Sequence, residues 1–179
     1  MPITKGCKQL VDEARQKIRT IAVEEAIKRH DDPNVVFVDL RDVRELEREG
    51  MIPGAFHAPR GMLEFWVDPA SPYYKEIFGS GKAFVFYCAS AWRSALATAV
   101  VQEMGLEPVC HVEGGFSAWK KAGGPVGERP HKAHWCRDDE PHPLHAEPAL
   151  GRVRRQHARH DGASGRPARE DRADRAGRR

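Results

Sequence analysis

The sequence lacks the features that mark a secreted or membrane-spanning protein. No apolar run approaches the roughly 18 residues that a transmembrane helix requires, and the first residues contain no apolar core of a signal peptide. The cysteines form no CxxC pair and no disulfide framework; they are Cys7, Cys88, Cys110 and Cys136. We therefore expect a soluble, cytoplasmic protein with reduced thiols and no membrane partner.

The chain is also poor in hydrophobic residues, which make up 40% of its 179 residues, against 31% charged residues. This length suits one well-buried domain and is short for two, and the low apolar share indicates that part of the chain lies outside the core. Residues 1–126 carry 16 Lys+Arg against 17 Asp+Glu (−1), whereas residues 127–179 carry 13 against 9 (+4), which sums to +3. The basic character therefore belongs to the C-terminal segment and says little about the substrate of the domain.

The segment from residue 127 to residue 179 contains no isoleucine or phenylalanine and no sustained hydrophobic period. This composition predicts a disordered segment that does not fold alone, and it is compatible both with a functional tail and with a spurious extension. Acidic residues such as Asp171 and Asp174 dilute its arginines, so nucleic acid is not favoured as a partner. Its metal-ligating side chains lack the spacing of a tight site, and we predict no metal and no cofactor. Those side chains are His131, His134, Cys136, His142 and His145.

One stretch organises the rest of the chain. Residues 83–87 form an unbroken run of mainly aromatic and β-branched residues, which predicts a strand buried on both faces. After Cys88 and a short turn, apolar residues recur at the spacing of one helical face, and the predicted helix ends at Gly105. The apolar residues of that face are Leu96, Val100, Val101 and Met104. The thiol of Cys88 is therefore expected between a buried strand and the first turn of a helix.

This position predicts a reactive thiol at Cys88. The first amides of a helix have no partner within the helix, so they stabilise an anion in the preceding turn. Arg93 adds a cationic charge, and the hydroxyls of Ser90 and Ser94 can donate to the sulfur or cap the helix. These groups favour the thiolate, which is the nucleophilic form of cysteine.

The segment Cys88-Ala89-Ser90-Ala91-Trp92-Arg93-Ser94 resembles the active-site loop of the rhodanese-like sulfurtransferases. Three other segments match the same family in order, and the resemblance covers about residues 34–125. They are Asp39-Leu-Arg41, Gly50-Met-Ile-Pro-Gly-Ala55 and Gly114-Gly-Phe-Ser-Ala-Trp119. Many relatives carry glycine at the place of Ala91, so alanine strains the loop by roughly 1–2 kcal/mol if this residue takes a positive φ.

The resemblance implies both a fold and a reaction. The implied fold is a central, mostly parallel sheet with helices on both faces, and the alternation of predicted strands and helices also favours this α/β architecture. The implied reaction moves a sulfane sulfur from a small donor such as thiosulfate to a thiol acceptor or cyanide, through a persulfide on Cys88. The loop residues Ala89 to Ser94 would bind the donor, and Trp92 would either screen the persulfide or pack inward. Asp39 and Arg41 are expected to form a structural ion pair that supports the loops.

Two other functions fit parts of the same pattern. Cell-cycle phosphatases and arsenate reductases of this fold also place a cysteine and an arginine around a strand-to-helix turn, but their loop is one residue longer. A non-catalytic binding module is the other alternative, although inactive relatives commonly lose the cysteine that this chain retains at Cys88. The sequence gives no indication of oligomeric state.

The predicted domain spans residues 20–126. An amphipathic helix from Gln9 to Arg19, within the N-terminal segment 1–19, is expected to dock on the domain rather than on a partner. Asp42 and Glu45 have the spacing of a capping box, to which we assign only a local role. The aromatic connection 59–82 either covers one side of the Cys88 pocket or forms a separate hydrophobic cluster.

We assign three polar residues to the core because each lies in a strand-like or apolar stretch of sequence. His57 and His111 lie in strand-like stretches, where a hydrogen-bonded structural histidine is the default interpretation. Cys110 lies within an apolar run and is expected to pack as a small hydrophobic residue.

Overall fold

The computed structural model describes residues 2–129, which fold as a parallel sheet flanked by helices. The strands are β1 (Thr20–Ile21), β2 (Val35–Asp39), β3 (Phe56–His57), β4 (Ala83–Tyr87) and β5 (Val109–Val112). The helices are α1 (Cys7–Lys17), α2 (Val23–Lys28), α3 (Val43–Glu49), α4 (Leu63–Val67), α5 (Trp92–Glu103) and α6 (Gly115–Lys121). Within these residues, none of the helices is long and apolar enough to cross a lipid bilayer.

The five strands form one sheet in the order β1-β5-β4-β2-β3, and every pair is parallel. The register places Asp39 beside Tyr87, so β2 and β4 end together at the same edge. Loops that follow the carboxyl ends of parallel strands meet at that edge. The segment that contains Cys88 therefore lies where the loops after β2 and β5 also emerge, and the predicted α/β fold is confirmed.

Alternating side chains of the central strands build two core layers, one on each face of the sheet. Phe84 and Phe86 point into one layer with α4 and α5, whereas Val85 and Tyr87 point into the other with α2, α3 and α6. Because β4 is covered on both faces, its apolar run is unbroken rather than alternating. The prediction of helices on both faces is thus confirmed.

The buried face of α5 differs from the predicted one. Met104 is 42% exposed, and the buried positions are mostly small residues. They are Ser94, Ala95, Ala97, Thr98 and Val101. The physical reason is that α5 is covered on two sides, by the sheet and by α1. Val11 of α1 and Ile18, the residue that follows α1, pack on Ala95. A helix covered on two sides has no single apolar stripe, so the predicted periodic face was misleading.

The aromatic connection between β3 and β4 belongs to the main core. It contains α4 and two short 3₁₀ turns, at Arg60–Met62 and Glu76–Gly79. The ring centroid of Phe78 lies 5.8 Å from that of Phe56 and 5.4 Å from that of Phe84, within the same apolar layer that contains Cys88. The separate hydrophobic cluster that the sequence allowed is therefore not what this segment forms.

The last described residues contact α3 and the segment that follows it. The backbones of Gly127 and Met51 form two hydrogen bonds of 2.9 Å, and Arg129 Nη1 lies 3.1 Å from Glu47 Oε1. Paired backbone thus extends to Gly127, the first residue of the predicted basic segment. Residues 130–179, with the five metal-ligating side chains considered above, lie outside the described residues.

Candidate functional site

Cys88 directly follows β4, and α5 begins four residues later, as the strand-to-helix prediction requires. The residue is 1% exposed. The loop and helix after β5 are hydrogen-bonded to this turn, because the carbonyl of Cys88 accepts a hydrogen bond from Phe116 N–H at 2.8 Å. A side chain at Gly115 would place its Cβ 2.3 Å from the carbonyl oxygen of Cys88, so only glycine allows this approach.

Ala91 adopts the left-handed conformation, with φ 69° and ψ 0°, and forms the N-cap of α5. A non-glycine residue in this conformation destabilises the fold by roughly 1–2 kcal/mol. The condition that the sequence analysis set for strain at Ala91, a positive φ, is therefore met. The left-handed residue turns the chain so that α5 starts beside Cys88. The first intrahelical bond runs from Ala95 N–H to the carbonyl of Ala91 at 3.1 Å. The amides of residues 92–94 precede it and are the ones that can bind an anion.

Arg93 is not the free cation that the sequence suggested. Its two terminal nitrogens donate to the two carboxylate oxygens of Glu45, each at 2.7 Å. The hydrogen bond to Glu45 raises the pKa of Arg93, with a smaller contribution from Cys88. The same hydrogen bond is the main reason that the pKa of Glu45 falls to about 2. The charge of Arg93 is thus compensated within the protein.

Glu45 is a site residue that sequence analysis missed. The predicted capping box is present, with Asp42 accepting from Arg44 N–H and Glu45 accepting from Asp42 N–H. The assignment of only a local role to Glu45 was wrong, because its carboxylate also holds Arg93 across 48 positions of sequence. The capping-box spacing shows where this carboxylate lies on α3, but it carries no information about a partner on another helix.

A second polar contact links Cys88 to β5 and β1. Cys88 Sγ lies 3.7 Å from Ser94 Oγ, and Ser94 Oγ lies 3.3 Å from His111 Nδ1. His111 Nε2 in turn lies 2.8 Å from Thr20 Oγ1. Burial, and secondarily the charge of Arg15, lower the pKa of His111 to about 4, so the ring is neutral at neutral pH. The histidine is hydrogen-bonded as predicted, but its partners lead to the thiol.

Asp39 and Arg41 have the geometry of the predicted structural ion pair. Both are fully buried, and Arg41 Nη2 lies 2.7 Å from Asp39 Oδ2. Arg41 also donates to the carbonyl of Gly50 at 2.7 Å, and its guanidinium carbon lies 3.9 Å from the ring centroid of Phe116. Arg41 therefore contacts both the C-terminal end of α3 and α6, close to the loops that surround Cys88.

The other residues considered in the sequence analysis differ in how far they are exposed to solvent. Ser90 is exposed, and Trp92 is 44% exposed, so Trp92 does not pack inward. Cys110 is buried, its Sγ lies 3.7 Å from the carbonyl oxygen of Phe84, and burial raises the pKa of its thiol. Cys7 is exposed on α1. His57 Nε2 lies 2.9 Å from the carbonyl oxygen of Arg41, away from the Ser94 contact.

Comparison with known proteins gives a family for most of the described chain. A family model described as "Rhodanese-like domain" matches residues 22–122. A curated sulfurtransferase from Allochromatium vinosum is 30% identical over 96 residues, which are 54% of this chain and 81% of that protein. An uncharacterized protein from Synechocystis is 36% identical over 92 residues, or 51% of this chain, and the match spans only 46% of that protein.

A solved structure from Rhodopseudomonas palustris is more similar in sequence. It is 55% identical, has a TM-score of 0.69, and covers 71% of this chain and 98% of its own. That protein is described as one of unknown function and a possible tyrosine phosphatase. The comparisons therefore agree on the fold and differ in the chemistry they suggest.

Proposed function

Because the chain belongs to the rhodanese-like domain family, we propose that it is a sulfurtransferase in which Cys88 carries a sulfane sulfur from a donor such as thiosulfate to a thiol or cyanide. The observation that carries this proposal is the place of Cys88, at the end of a buried strand and beside the N-terminus of the 12-residue helix α5. A thiolate there gains from the first-turn amides of the helix. The sulfurtransferase relative from Allochromatium supports the same reaction class.

The reaction begins when the Cys88 thiolate attacks the outer sulfur of the donor. A new S–S bond forms on Cys88, the S–S bond within thiosulfate breaks, and sulfite leaves with its electron pair. The terminal sulfur of the persulfide is then anionic, and we expect the amides of residues 92–94, which precede the first intrahelical hydrogen bond, to stabilise it. A thiolate or cyanide takes that sulfur and regenerates the Cys88 thiolate.

The burial of Cys88 favours a small donor. With only 1% of the residue exposed, the nucleophile can meet a single protruding atom more readily than a bulky group. The sulfane sulfur of thiosulfate is such an atom. The ion pair of Arg93 with Glu45 also leaves less positive charge for a dianion than the sequence of the loop alone would suggest.

Phosphate chemistry is the second candidate, because the relative from Rhodopseudomonas is described as a possible tyrosine phosphatase. Two observations weigh against it. The loop from Cys88 to Arg93 is six residues long, one fewer than in the phosphatases it resembles, and both terminal nitrogens of Arg93 bind Glu45. A phosphate group would have to compete with that carboxylate for the guanidinium.

Mass spectrometry after thiosulfate treatment tests the proposal. The peptide that contains Cys88 is expected to gain one sulfur atom, which cyanide then removes. Cys88→Ala should abolish the gain, whereas Cys7→Ala, the same change at an exposed thiol outside the loop, should leave it intact.

Three outcomes would contradict the proposal. Hydrolysis of an aryl phosphate without any cyanolysable sulfur would establish phosphatase chemistry instead. Absence of both reactions would favour a binding module. Sulfur transfer that survives Cys88→Ala would mean that another residue is the nucleophile.

A further inference from the structure

A line of three polar side chains leads from the sulfur of Cys88 to the edge of the sheet. We propose that Ser94, His111 and Thr20 form a proton relay that carries the thiol proton of Cys88 to the protein surface. The relay deepens the proposed function and rests on it, because sulfur transfer starts from the thiolate of Cys88. It assigns a role to His111, which the sequence analysis interpreted as structural, and to Thr20, to which the sequence analysis gave no role.

Burial and distance make this line continuous. Cys88 is 1% exposed, and Ser94 and His111 are both 0% exposed. The successive hydrogen bonds measure 3.7 Å from Cys88 Sγ to Ser94 Oγ, 3.3 Å from Ser94 Oγ to His111 Nδ1, and 2.8 Å from His111 Nε2 to Thr20 Oγ1. Thr20, the last member, is an exposed residue. A proton that reaches Thr20 has therefore crossed from a buried sulfur to solvent.

The fold itself brings the members together. Ser94 lies in the first turn of α5, six positions after Cys88. Thr20 and His111 are directly paired in the register of the parallel strands β1 and β5. The relay therefore depends on three elements that no local sequence pattern connects.

Each member can both donate and accept a hydrogen bond. Serine and threonine hydroxyls do so by rotation, and a neutral imidazole has one donor and one acceptor nitrogen. The ring of His111 remains neutral because it is buried and because Arg15, the charged group that acts on it, opposes a second positive charge. A neutral ring passes a proton on by exchanging tautomers rather than by keeping it.

The transfer moves one proton and no electrons. In the thiol state, Cys88 S–H donates to Ser94 Oγ, Ser94 O–H donates to His111 Nδ1, and Nε2–H donates to Thr20 Oγ1. When the S–H bond breaks, its electron pair stays on sulfur and each proton moves one place outward, so that the hydroxyl proton of Thr20 passes to water. All bonds then point the other way, and Ser94 donates to the thiolate.

The neighbouring ion pair offers a poorer route. The Arg93 guanidinium is already protonated and accepts no proton. Glu45 is occupied by Arg93, and its pKa of about 2 makes it a weak base at neutral pH.

Nitrogen NMR of the full chain, labelled with ¹⁵N, tests the relay without any sulfur donor. Long-range ¹H–¹⁵N spectra distinguish the two neutral tautomers and the imidazolium of each histidine. His111, assigned with His111→Gln, is expected to change from Nε2–H to Nδ1–H over the pH range in which Cys88 ionises. That ionisation is followed separately by the rate at which iodoacetamide alkylates the Cys88 peptide.

His57 is the internal control for this measurement. Its Nε2 faces the carbonyl oxygen of Arg41, which only accepts, so His57 should stay in the Nε2–H form while it is neutral. The relay is wrong if His111 keeps one tautomer throughout. It is also wrong if His111 becomes an imidazolium as Cys88 ionises, because the proton would then stop on the ring.

Two variants separate the relay from simple packing. Ser94→Ala should abolish the tautomer change and slow alkylation of Cys88 at neutral pH about tenfold, because the thiolate loses a charge-assisted hydrogen bond. Thr20→Val should suppress the tautomer change by leaving Nε2 without a donor. Thr98→Val makes the same substitution at a buried hydroxyl of α5 that has no hydrogen-bond partner in the described structure, and should behave like wild type.

The outcomes also distinguish this proposal from the proposed function. A tautomer change without sulfur loading would reject sulfur transfer and retain the relay. Sulfur loading with an unresponsive His111, or an unaltered tautomer change in Ser94→Ala and Thr20→Val, would reject the relay alone.

Discussion

Ala91 shapes the loop around Cys88 although it carries no functional group. Its left-handed backbone turns the chain from the end of β4 into the start of α5, and the residue is fully buried against its neighbours. Glycine is the residue that adopts this conformation without steric cost. The loop therefore keeps its geometry at the expense of strain in a single alanine.

Replacing this residue tests whether the strain is real. Ala91→Gly should stabilise the protein by about 0.5–1 kcal/mol, because the relief of roughly 1–2 kcal/mol of strain exceeds the added freedom of glycine in the unfolded chain. Urea unfolding followed by circular dichroism measures the change. The matched control is Ala99→Gly, within the regular part of α5, which should destabilise by about 1 kcal/mol. A loss of stability in both variants would show that Ala91 is not strained.

The residues of the site differ in how far the sequence could reveal them. The candidate role of Cys88 and the strain at Ala91 could be predicted from the sequence, because each depends on a few adjacent residues and on a family resemblance. Glu45 and Thr20 were not, because their contacts span 48 and 91 positions and depend on how helices and strands pack. A local sequence pattern can predict local chemistry, whereas a contact partner on another helix or strand can be identified only from the folded structure.

At the scale of elements, Glu45 fastens the start of α3 to the start of α5. Its carboxylate caps one helix and binds the arginine of the other. Since Arg93 is the last residue of the six-residue loop that begins at Cys88, the ion pair also holds one end of that loop. The position of the loop therefore depends on α3, an element that carries none of the residues proposed to bind sulfur.

The ion pair predicts a specific response to acid. The pKa of Glu45 is about 2 in the folded protein, below its ordinary value of 4.5, so its contribution is fully present above pH 4.5 and is lost as the pH falls through 2. Glu45→Gln should therefore be less stable than wild type at pH 7, and the difference should shrink as the pH falls toward 2. We expect about 1 kcal/mol at pH 7, because Arg93 is 39% exposed and solvent screens the pair.

Urea unfolding of both proteins across this pH range measures the difference. The double variant with Arg93→Gln provides the control, because removing both partners should cost less than the sum of the two single changes. A difference that is constant with pH would show that the carboxylate charge is not what stabilises the native state.

The elements also show which part of the fold was predictable. The strands β2 and β4 were evident because burial on both faces leaves an uninterrupted apolar run. The buried face of α5 was not, because α1 covers it and the small residues at Ala95 and Ala97 give no strong periodic signal. A sequence pattern reports burial against one partner more faithfully than burial between two.

At the scale of the whole molecule, the three thiols within residues 2–129 lie in three different environments. Cys7 lies exposed on α1, Cys88 lies 1% exposed beside the N-terminus of α5, and Cys110 lies 6% exposed within β5. Access alone would make Cys88 and Cys110 almost equally unreactive. We expect charge to separate them, because the first amides of a helix favour an anion in the preceding turn, whereas burial raises the pKa of the Cys110 thiol.

The order of alkylation tests this arrangement in a Cys136→Ser background, which leaves only these three thiols. A bulky maleimide should modify Cys7 alone, because neither buried thiol admits a large reagent. Iodoacetamide, which is small, should modify Cys7 first, Cys88 more slowly and Cys110 last, and urea should make all three react. Peptide mass spectrometry over time gives the three rates. If Cys110 reacted before Cys88 in the native protein, the turn before α5 would not activate its thiol, and both proposals for Cys88 would lose their physical basis.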